Sequence, residues 1–546
     1  MSPIVGLKGL FFIVIACCRK LGRLRLLVGT YLVAASLAAQ ATVPTPTVSN
    51  PPTGSKGFPF LTSAINLADL GYTEREFFIS GTAQSFVNNA VLGNDGLWNV
   101  SPGVTAPYVT RLLVRTPANP ERFNGTVVVE WLNVTGQLDT APEWDFEHVE
   151  LLREGYAWVG VTAQFLGAAF LPVFDSQRYA SIFHPGDSFS YDIYSQAGMA
   201  LLHGNPQPLG SLTPLVRSLL ADGESQSAFR MLTYYNAVQP LAQVYQGFLI
   251  HSTGFGAALS QSYAGGNILG SPAIPTPPDV PATPDIPVPP TAFIRGDLEQ
   301  PVLFFNTETD ISVLGAGFSV HNQPDSNTFR MWEVAGTSHA DAYLLKYAGA
   351  DAAKSGLTVP PQACTDPPVN NGPETFGVRA ALRAVARWTR APALRPSIAP
   401  RFSVQIISSP QPAAVIARDP ASGNAIGGIR LPPVAVPIET LTGVLPPAAL
   451  QANPGCLLFG ATDPWDGDTD AWDGKPGVDP SPTPEPSLAA LYGTKLNYLL
   501  QYEMATGISV SQGFLLPEDA LEVIGLAEAS SVPQGTASNA AIIPDP

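Results

Sequence analysis

An α/β fold, with a mostly parallel central sheet flanked by helices, is what the sequence predicts, and three observations carry that prediction. From about residue 124 onward, short apolar runs alternate with stretches of helical period. "TVVVEWLN" (126–133), "WDFEHVELLREG" (144–155) and "YAWVGVTA" (156–163) read as strand, helix and strand, and a helical crossover of that length joins parallel neighbours. Hydrophobic residues make up 45% of the 546 positions and charged ones 13%, enough apolar material to cover a sheet on both faces and too little charge for a disordered chain.

In chain order, residues 1–41 read as an export signal. "RKLGRLR" (19–25) is a basic region, "LLVGTYLVAASLA" (26–38) an apolar one, and Ala39-Gln40-Ala41 a small-x-small cleavage site. The apolar "LFFIVIACC" (10–18) ahead of it points to a start placed too far upstream, against a rival reading of a membrane anchor or lipidation at Cys17. Residues 42–57, rich in Pro, Ser and Thr, read as a flexible leader. A catalytic core follows over 58–395. Its further elements are a helix "SYDIYSQAGMALLHG" (190–204), a strand "RSLLAD" (217–222), a helix over 226–238, the strands "GFLIHS" (247–252), "PVLFFN" (301–306) and "TFRMWEVAG" (328–336), and a helix "VRAALRAVARWTR" (378–390). Between about 253 and 300 lies "SPAIPTPPDVPATPDIPVPP" (271–290), a proline-rich insertion placed where a lid or pocket wall would sit, or else a plain spacer. Residues 396–546 read as an extension packed on the core, with a hairpin over 414–432 and helical stretches around Leu488 and Glu518.

Charge and cysteine usage narrow the function. A net charge of −16 without a Lys/Arg cluster in the mature region disfavours nucleic acid and anionic membrane surfaces, leaving a neutral or weakly polar small molecule as the partner. Beyond Ala41 no apolar stretch is long enough to span a bilayer. The expected location is therefore periplasmic or extracellular. In such a compartment Cys364 and Cys456, the two cysteines of the mature chain, either close a disulfide or stay as buried thiols. The sequence leaves the oligomeric state open.

The chemistry centres on "GESQS" (223–227). A serine hydroxyl needs a base in contact and donors aimed at the oxyanion before it attacks a carbonyl. Alpha/beta hydrolases place that serine on a sharp strand-to-helix turn with small residues on both sides. Ser225 follows a predicted strand and opens a predicted helix, with Gly223 on one side and Ser227 in place of the usual second glycine. The bland reading is a helix N-cap. The fold dictates the order serine, acid, histidine. "PVLFFNTETD" brings Asp310, with Glu308 as the alternative acid, to the end of a buried strand, and "AGTSHAD" (335–341) places His339 after the next, with room for one helix between. His251 reads as packed or pocket-lining, and His321, in "SVHNQPD" (319–325), as solvated. The oxyanion donors are expected from the backbone N–H of Gln226 and from Val134 or Thr135 in "NVTGQLD" (133–139). Asp187, Tyr191 and Asp192 read as pocket residues or as caps and surface groups. Asp466, Asp468 and Asp470 alternate as in a calcium loop but lack its sixth-position glycine and twelfth-position acid. No metal or cofactor is expected.

"HPGDSFSYDIYSQAG" (184–198), "GESQSAFR" (223–230), "VYQGFLIHS" (244–252), "TETD" (307–310) and "AGTSHAD", in this order, resemble a family of large, mostly exported alpha/beta-hydrolase-domain proteins. The resemblance runs from about Pro59 to the late C-terminal helices, and Ser rather than Gly two places after the nucleophile is usual there. It implies an alpha/beta-hydrolase fold with Ser225, Asp310 and His339 as the triad, and names no substrate. The leading expectation is a serine hydrolase of carboxylic esters. An acyltransferase with the same triad, or a binding protein that keeps the fold, are the rivals.

Overall fold

The computed structural model describes residues 43–259, 288–289, 291–357, 364, 368–408, 412–445, 454–465 and 486–533, all within one unit spanning 41–546. The stretch read as an export signal, residues 260–287 and 290 of the proline-rich insertion, and the Asp466–Asp468–Asp470 loop lie outside the described residues.

Strand β1 (Thr47–Ser49), β2 (Tyr72–Asn88), β3 (Val100–Pro117), β4 (Thr126–Trp131), β5 (Ala157–Val161), β6 (Ser218–Glu224), β7 (Gly247–His251), β8 (Val302–Asn306) and β9 (Phe329–Glu333) form one nine-stranded sheet. Their order is β1-β2-β3-β5-β4-β6-β7-β8-β9. From β5 to β9 every neighbouring pair is parallel. Each residue of β4 through β9 is buried, as a parallel sheet covered on both faces requires. The side-chain period of two divides them between layers. Val127, Val129 and Trp131 enter one core cluster, while Val128 and Leu132 enter the other. Because β5 and β6 flank β4 on opposite sides, the strand order reverses at β4 and β6, and a crevice opens at the carboxyl ends of those two strands.

The helices are α1 (Pro142–Glu154), α2 (Phe165–Phe174), α3 (Ser190–His203), α4 (Gln226–Thr233), α5 (Gln239–Ala242), α6 (Glu308–Ser312), α7 (Ala342–Lys354) and α8 (Glu374–Arg390). Trp144 and Phe146 of α1 pack with Leu382 and Val385 of α8 on one face of the sheet. Tyr191 and Tyr194 of α3 pack with Ala228 and Met231 of α4 on the other. A π-helical turn, Tyr234–Val238, continues α4 toward α5.

Several elements depart from the sequence expectation. The leader contributes β1, which pairs antiparallel with β2 through Thr47, Val48 and Ser49. Val48 is buried there, and the N–H groups of Ser55 and Lys56 donate to Asp175 at 2.7 and 2.9 Å; these contacts outweigh the local composition. Strands β2 and β3 escape a reading by alternation because serine, glycine and proline interrupt them, as in "VSPGVTAPYVT" of β3. Their ladder is held by pairing along almost its whole length, past a bulge between Gln84 and Phe86. Between β8 and β9 the chain forms only the five-residue α6 and two single 3-10 turns, Ala316–Phe318 and Val320–Asn322, in place of a full crossover helix. Residues of the C-terminal region, among them Phe402 and Ile416, join the core on that side.

In the C-terminal region, Ala413–Ile416 pairs with the upstream Val404–Ile407, so the hairpin over 414–432 is displaced toward the N-terminus, with only the bridge Arg418 to Ala425 closing its own turn. Glu439–Thr442 pairs with Ala461–Pro464. Helices follow at Leu488–Tyr492, Lys495–Gln512 and Ala520–Ala529. Cys364 and Cys456 form a disulfide. No helix among the described residues is long and apolar enough to cross a membrane.

Candidate active site

Ser225 stands between β6 and α4 with φ 57° and ψ −120°, a left-handed backbone rarely adopted by a residue with a side chain. The neighbouring strand and the helix hold it there. The Ser225 N–H donates to the carbonyl of His251 on β7 at 3.0 Å, and its own carbonyl accepts from the N–H of Phe229, one turn into α4, at 3.0 Å. This geometry is not that of a helix N-cap, and no side-chain capping bond is formed by Ser225. Ser227 occupies the second small position. Its Oγ donates to the carbonyl of Glu224 at 2.7 Å, and it packs in ordinary contact, 3.4 Å, against the place a Cβ on Gly223 would take. A serine therefore fits where the usual pattern has glycine.

The Ser225 side chain is partly exposed, and its Oγ lies 2.7 Å from Nε2 of His339. Nδ1 of His339 lies 2.8 Å from Oδ1 of Asp310. A carboxylate at Nδ1 selects the tautomer with its proton on that nitrogen, which leaves Nε2 free to accept from the serine hydroxyl. Asp310 is fully buried on the first turn of α6, where it forms a capping box with Thr307. Its Oδ2 accepts from the Thr307 N–H at 2.6 Å and from the Thr307 hydroxyl at 2.8 Å. Burial works against its charge, but the hydrogen bond and charge of His339 and the Thr307 donors outweigh it and hold the carboxyl below the usual range.

Glu308 is also buried, but it is turned away from His339. Its Oε1 accepts from the Gly336 N–H at 2.7 Å, and its Oε2 accepts from the Gly443 N–H at 3.1 Å and pairs with Arg418 at 2.7 Å. It fastens the loop that carries His339 to the C-terminal region. Thr309 reinforces the same joint, donating to the Gly443 carbonyl at 2.6 Å and accepting from the His339 N–H at 3.2 Å.

The loop after β4 meets the elbow through Asn133. Its Nδ2 donates to the Glu224 carbonyl at 3.1 Å, while its Oδ1 accepts the Thr135 N–H at 2.8 Å. The Thr135 N–H is thereby engaged within its own turn. The Val134 N–H instead faces the residue after the serine, donating to Oε1 of Gln226 at 3.4 Å. The Gln226 backbone N–H is the first of α4 and has no acceptor within the helix.

Glu224, visible in "GES" yet given no role from sequence, lies against the same imidazole. Its Oε1 is 3.3 Å from Nε2 of His339. Burial first, then Glu143, Asp310 and Glu130, push its carboxyl well above the usual range. Only the tertiary structure reveals this contact, because it depends on where the loop after β9 delivers His339.

The other polar residues singled out from sequence are elsewhere. His251 is fully buried at the end of β7, with Nδ1 3.3 Å from Glu143 and Nε2 3.2 Å from Glu374. His321 is half-buried and paired with Glu333 at 2.7 Å, so it is not the solvated histidine that its polar neighbours suggest; β9 brings the glutamate beneath it. Asp187, Tyr191 and Asp192 are buried and not surface groups. Asp187 accepts from the Phe165 N–H at 2.7 Å, Tyr191 bonds Arg230 at 3.3 Å, and Asp192 accepts from the Gln84 N–H at 3.0 Å.

The model of an alpha/beta hydrolase domain family matches residues 43–525, and the chain belongs to that family. No curated protein matches it. Among solved structures, the chain is similar to a rice cell wall degrading esterase, LipA, from Xanthomonas oryzae, at 14% identity and a TM-score of 0.21, over 39% of this chain and 50% of that one. It thus spans about half the length of that esterase. It is also similar to XC6422 from Xanthomonas campestris, described as a serine hydrolase without a lid, at 11% identity and a TM-score of 0.25, over 52% of this chain and 97% of that one.

Proposed function

We propose that the chain is an exported serine hydrolase that cleaves carboxylic esters of a small or medium-sized substrate through an acyl-enzyme. The observation that carries this reading is the continuous path from Ser225 Oγ through the His339 imidazole to Asp310, at 2.7 and 2.8 Å, with the serine partly exposed and the two partners buried. In the first half-reaction Ser225 Oγ attacks the ester carbonyl as His339 Nε2 takes its proton, and the carbonyl oxygen becomes an oxyanion. The bond to the alkoxide then breaks and His339 returns the proton to the leaving alcohol. Water repeats the cycle on the acyl-enzyme, giving its proton to His339 and releasing the acid. Asp310 orients the ring and stabilises its cationic form.

The oxyanion is received by the backbone N–H groups of Gln226 and Val134. Between the two alternatives in the β4 loop, the pairing of Thr135 with Asn133 favours Val134. The weak 3.4 Å contact of Val134 with the Gln226 side chain is one that a charged oxygen would displace. Val134 clusters with Phe165 and Leu166, an apolar wall suited to the non-reacting part of an ester.

A fluorophosphonate probe followed by peptide mass spectrometry tests the reading. One label per chain, on the peptide carrying Ser225, is expected. A folded protein that takes no label would remove the nucleophile assignment. A series of p-nitrophenyl esters of rising acyl length then reads out the size of the acyl pocket.

A further inference from the structure

Beneath the serine turn lies a group of acids that the proposed hydrolysis does not use. Glu143 and Glu147 sit one turn apart on the same side of α1, and Asp222 lies on β6 three residues before Ser225. All three are fully buried, and one oxygen from each lies within 4.8 Å of the others. Oε1 of Glu143, both oxygens of Glu147 and both of Asp222 lack a donor of good geometry; Asp222 lies close enough to Glu143, Glu147 and the Gly223 N–H to interact with each of them. Among the described residues no Lys or Arg pairs with any of the three, and the nearest basic group is the His251 imidazole, 3.3 Å from Glu143.

Such a group does not sit unattended in a protein interior. A buried carboxylate is retained only with a countercharge, hydrogen-bond donors or a proton. Two like charges about 4 Å apart repel by roughly 4 kcal/mol even at an effective dielectric of about 20. The sequence supplies hydrophobic residues freely elsewhere on this face of the sheet, so three acids aimed at one point need a reason of their own.

We infer that Glu143, Glu147 and Asp222 form a binding site for a single calcium ion that ties α1 to β6. The donor set is all carboxyl oxygen, which selects a hard divalent cation over zinc or copper. Calcium bonds oxygen at about 2.3–2.6 Å, so its opposite ligands stand about 4.6–5.2 Å apart, and oxygens no more than 4.8 Å from one another fit that sphere. Calcium also accepts bidentate carboxylates, which would employ the oxygens that lack a donor of good geometry. Magnesium prefers to keep several waters and is rarely held by an all-protein cage. The ion would hold the helix that follows the oxyanion loop against the strand that leads to Ser225. Its role is structural, and the inference stands apart from the proposed ester hydrolysis.

The test uses the full chain, exported during expression, purified in calcium-containing buffer and passed over a chelating resin. Metal content is counted by inductively coupled plasma mass spectrometry, and thermal unfolding is followed with and without prolonged EGTA treatment. About one calcium per chain is expected, with a midpoint lowered by several degrees in EGTA and restored by calcium. Glu147→Gln is expected to lose the ion and the EGTA response together. A folded wild-type protein that holds no stoichiometric metal and ignores EGTA would overturn the site, the acids then being held by shared protons. One magnesium per chain would overturn the choice of calcium. If Glu147→Gln does not fold, the wild-type metal count still decides.

Discussion

Two histidines in this molecule sit between oxygen partners near the carboxyl edge of the sheet, and they differ in what the structure does with them. His339, on the loop after β9, lies between Asp310 and the partly exposed Ser225 hydroxyl. His251, the last residue of β7, lies between Glu143 and Glu374, with all three side chains fully buried. The two are linked through the backbone, because the His251 carbonyl receives the N–H of Ser225. The outer assembly ends in a partly exposed hydroxyl. The inner one ends in a second carboxyl and has no exit. Both set a histidine against an acid at one nitrogen, and what separates them is the partner at the other, a hydroxyl or a second carboxyl.

Removing the hydroxyl should erase that difference most completely. Ser225→Ala is expected to lower kcat/KM for a p-nitrophenyl ester by on the order of a thousandfold or more, with the unfolding transition unchanged. A variant retaining a tenth of wild-type turnover would return Ser225 to the status of a turn residue.

The acids come next. Asp310→Asn leaves a neutral partner at His339 Nδ1, and kcat should fall by roughly a hundredfold or more. Glu308→Gln should stay within roughly tenfold, its cost appearing as reduced stability because the Gly336, Gly443 and Arg418 contacts weaken. Steady-state kinetics and chemical denaturation on the pair read out both effects, and the reverse ranking would transfer the orienting role to Glu308.

For the inner assembly the expectation is inverted. His251→Gln should lower stability by about 2–4 kcal/mol, since Glu143 and Glu374 lose a buried partner. The rise of the acylation rate with pH should persist in this variant and vanish in His339→Ala. Stopped-flow acylation across pH separates the two histidines.

The smallest effect concerns Asp341, two residues after His339 and acting electrostatically on Glu374 of the inner assembly. Burial pushes its carboxyl up to about 7, against the pull of the backbone N–H groups of α7 that it caps. The unfolded carboxyl loses its proton near pH 4, the folded one only near 7, so the unfolded state binds fewer protons in between. Stability should therefore fall as pH rises from about 4 to 7. Asp341→Asn keeps the cap and should flatten that slope by on the order of 2 kcal/mol, measured by denaturation at several pH values. An unchanged slope would place the titration elsewhere.

Local pattern by itself determined the parallel half of the sheet and the placing of its motifs. Strands β4 through β9 are continuous apolar runs because both faces of each are covered, and that makes them legible without neighbours. "GESQS", "TETD" and "AGTSHAD" could be placed because each follows such a run. The tertiary structure alone decided what depends on partners distant in the chain. Strands β2 and β3 exist through their mutual ladder, against the glycine and proline in their own sequences. That Asp310 rather than Glu308 touches His339 turns on which side of a five-residue helix faces the imidazole, a rotation that residue spacing does not encode. Glu224 against His339, and the three acids at α1 and β6, arise where remote segments converge; a carboxylate reads as a solvated charge until the fold buries it.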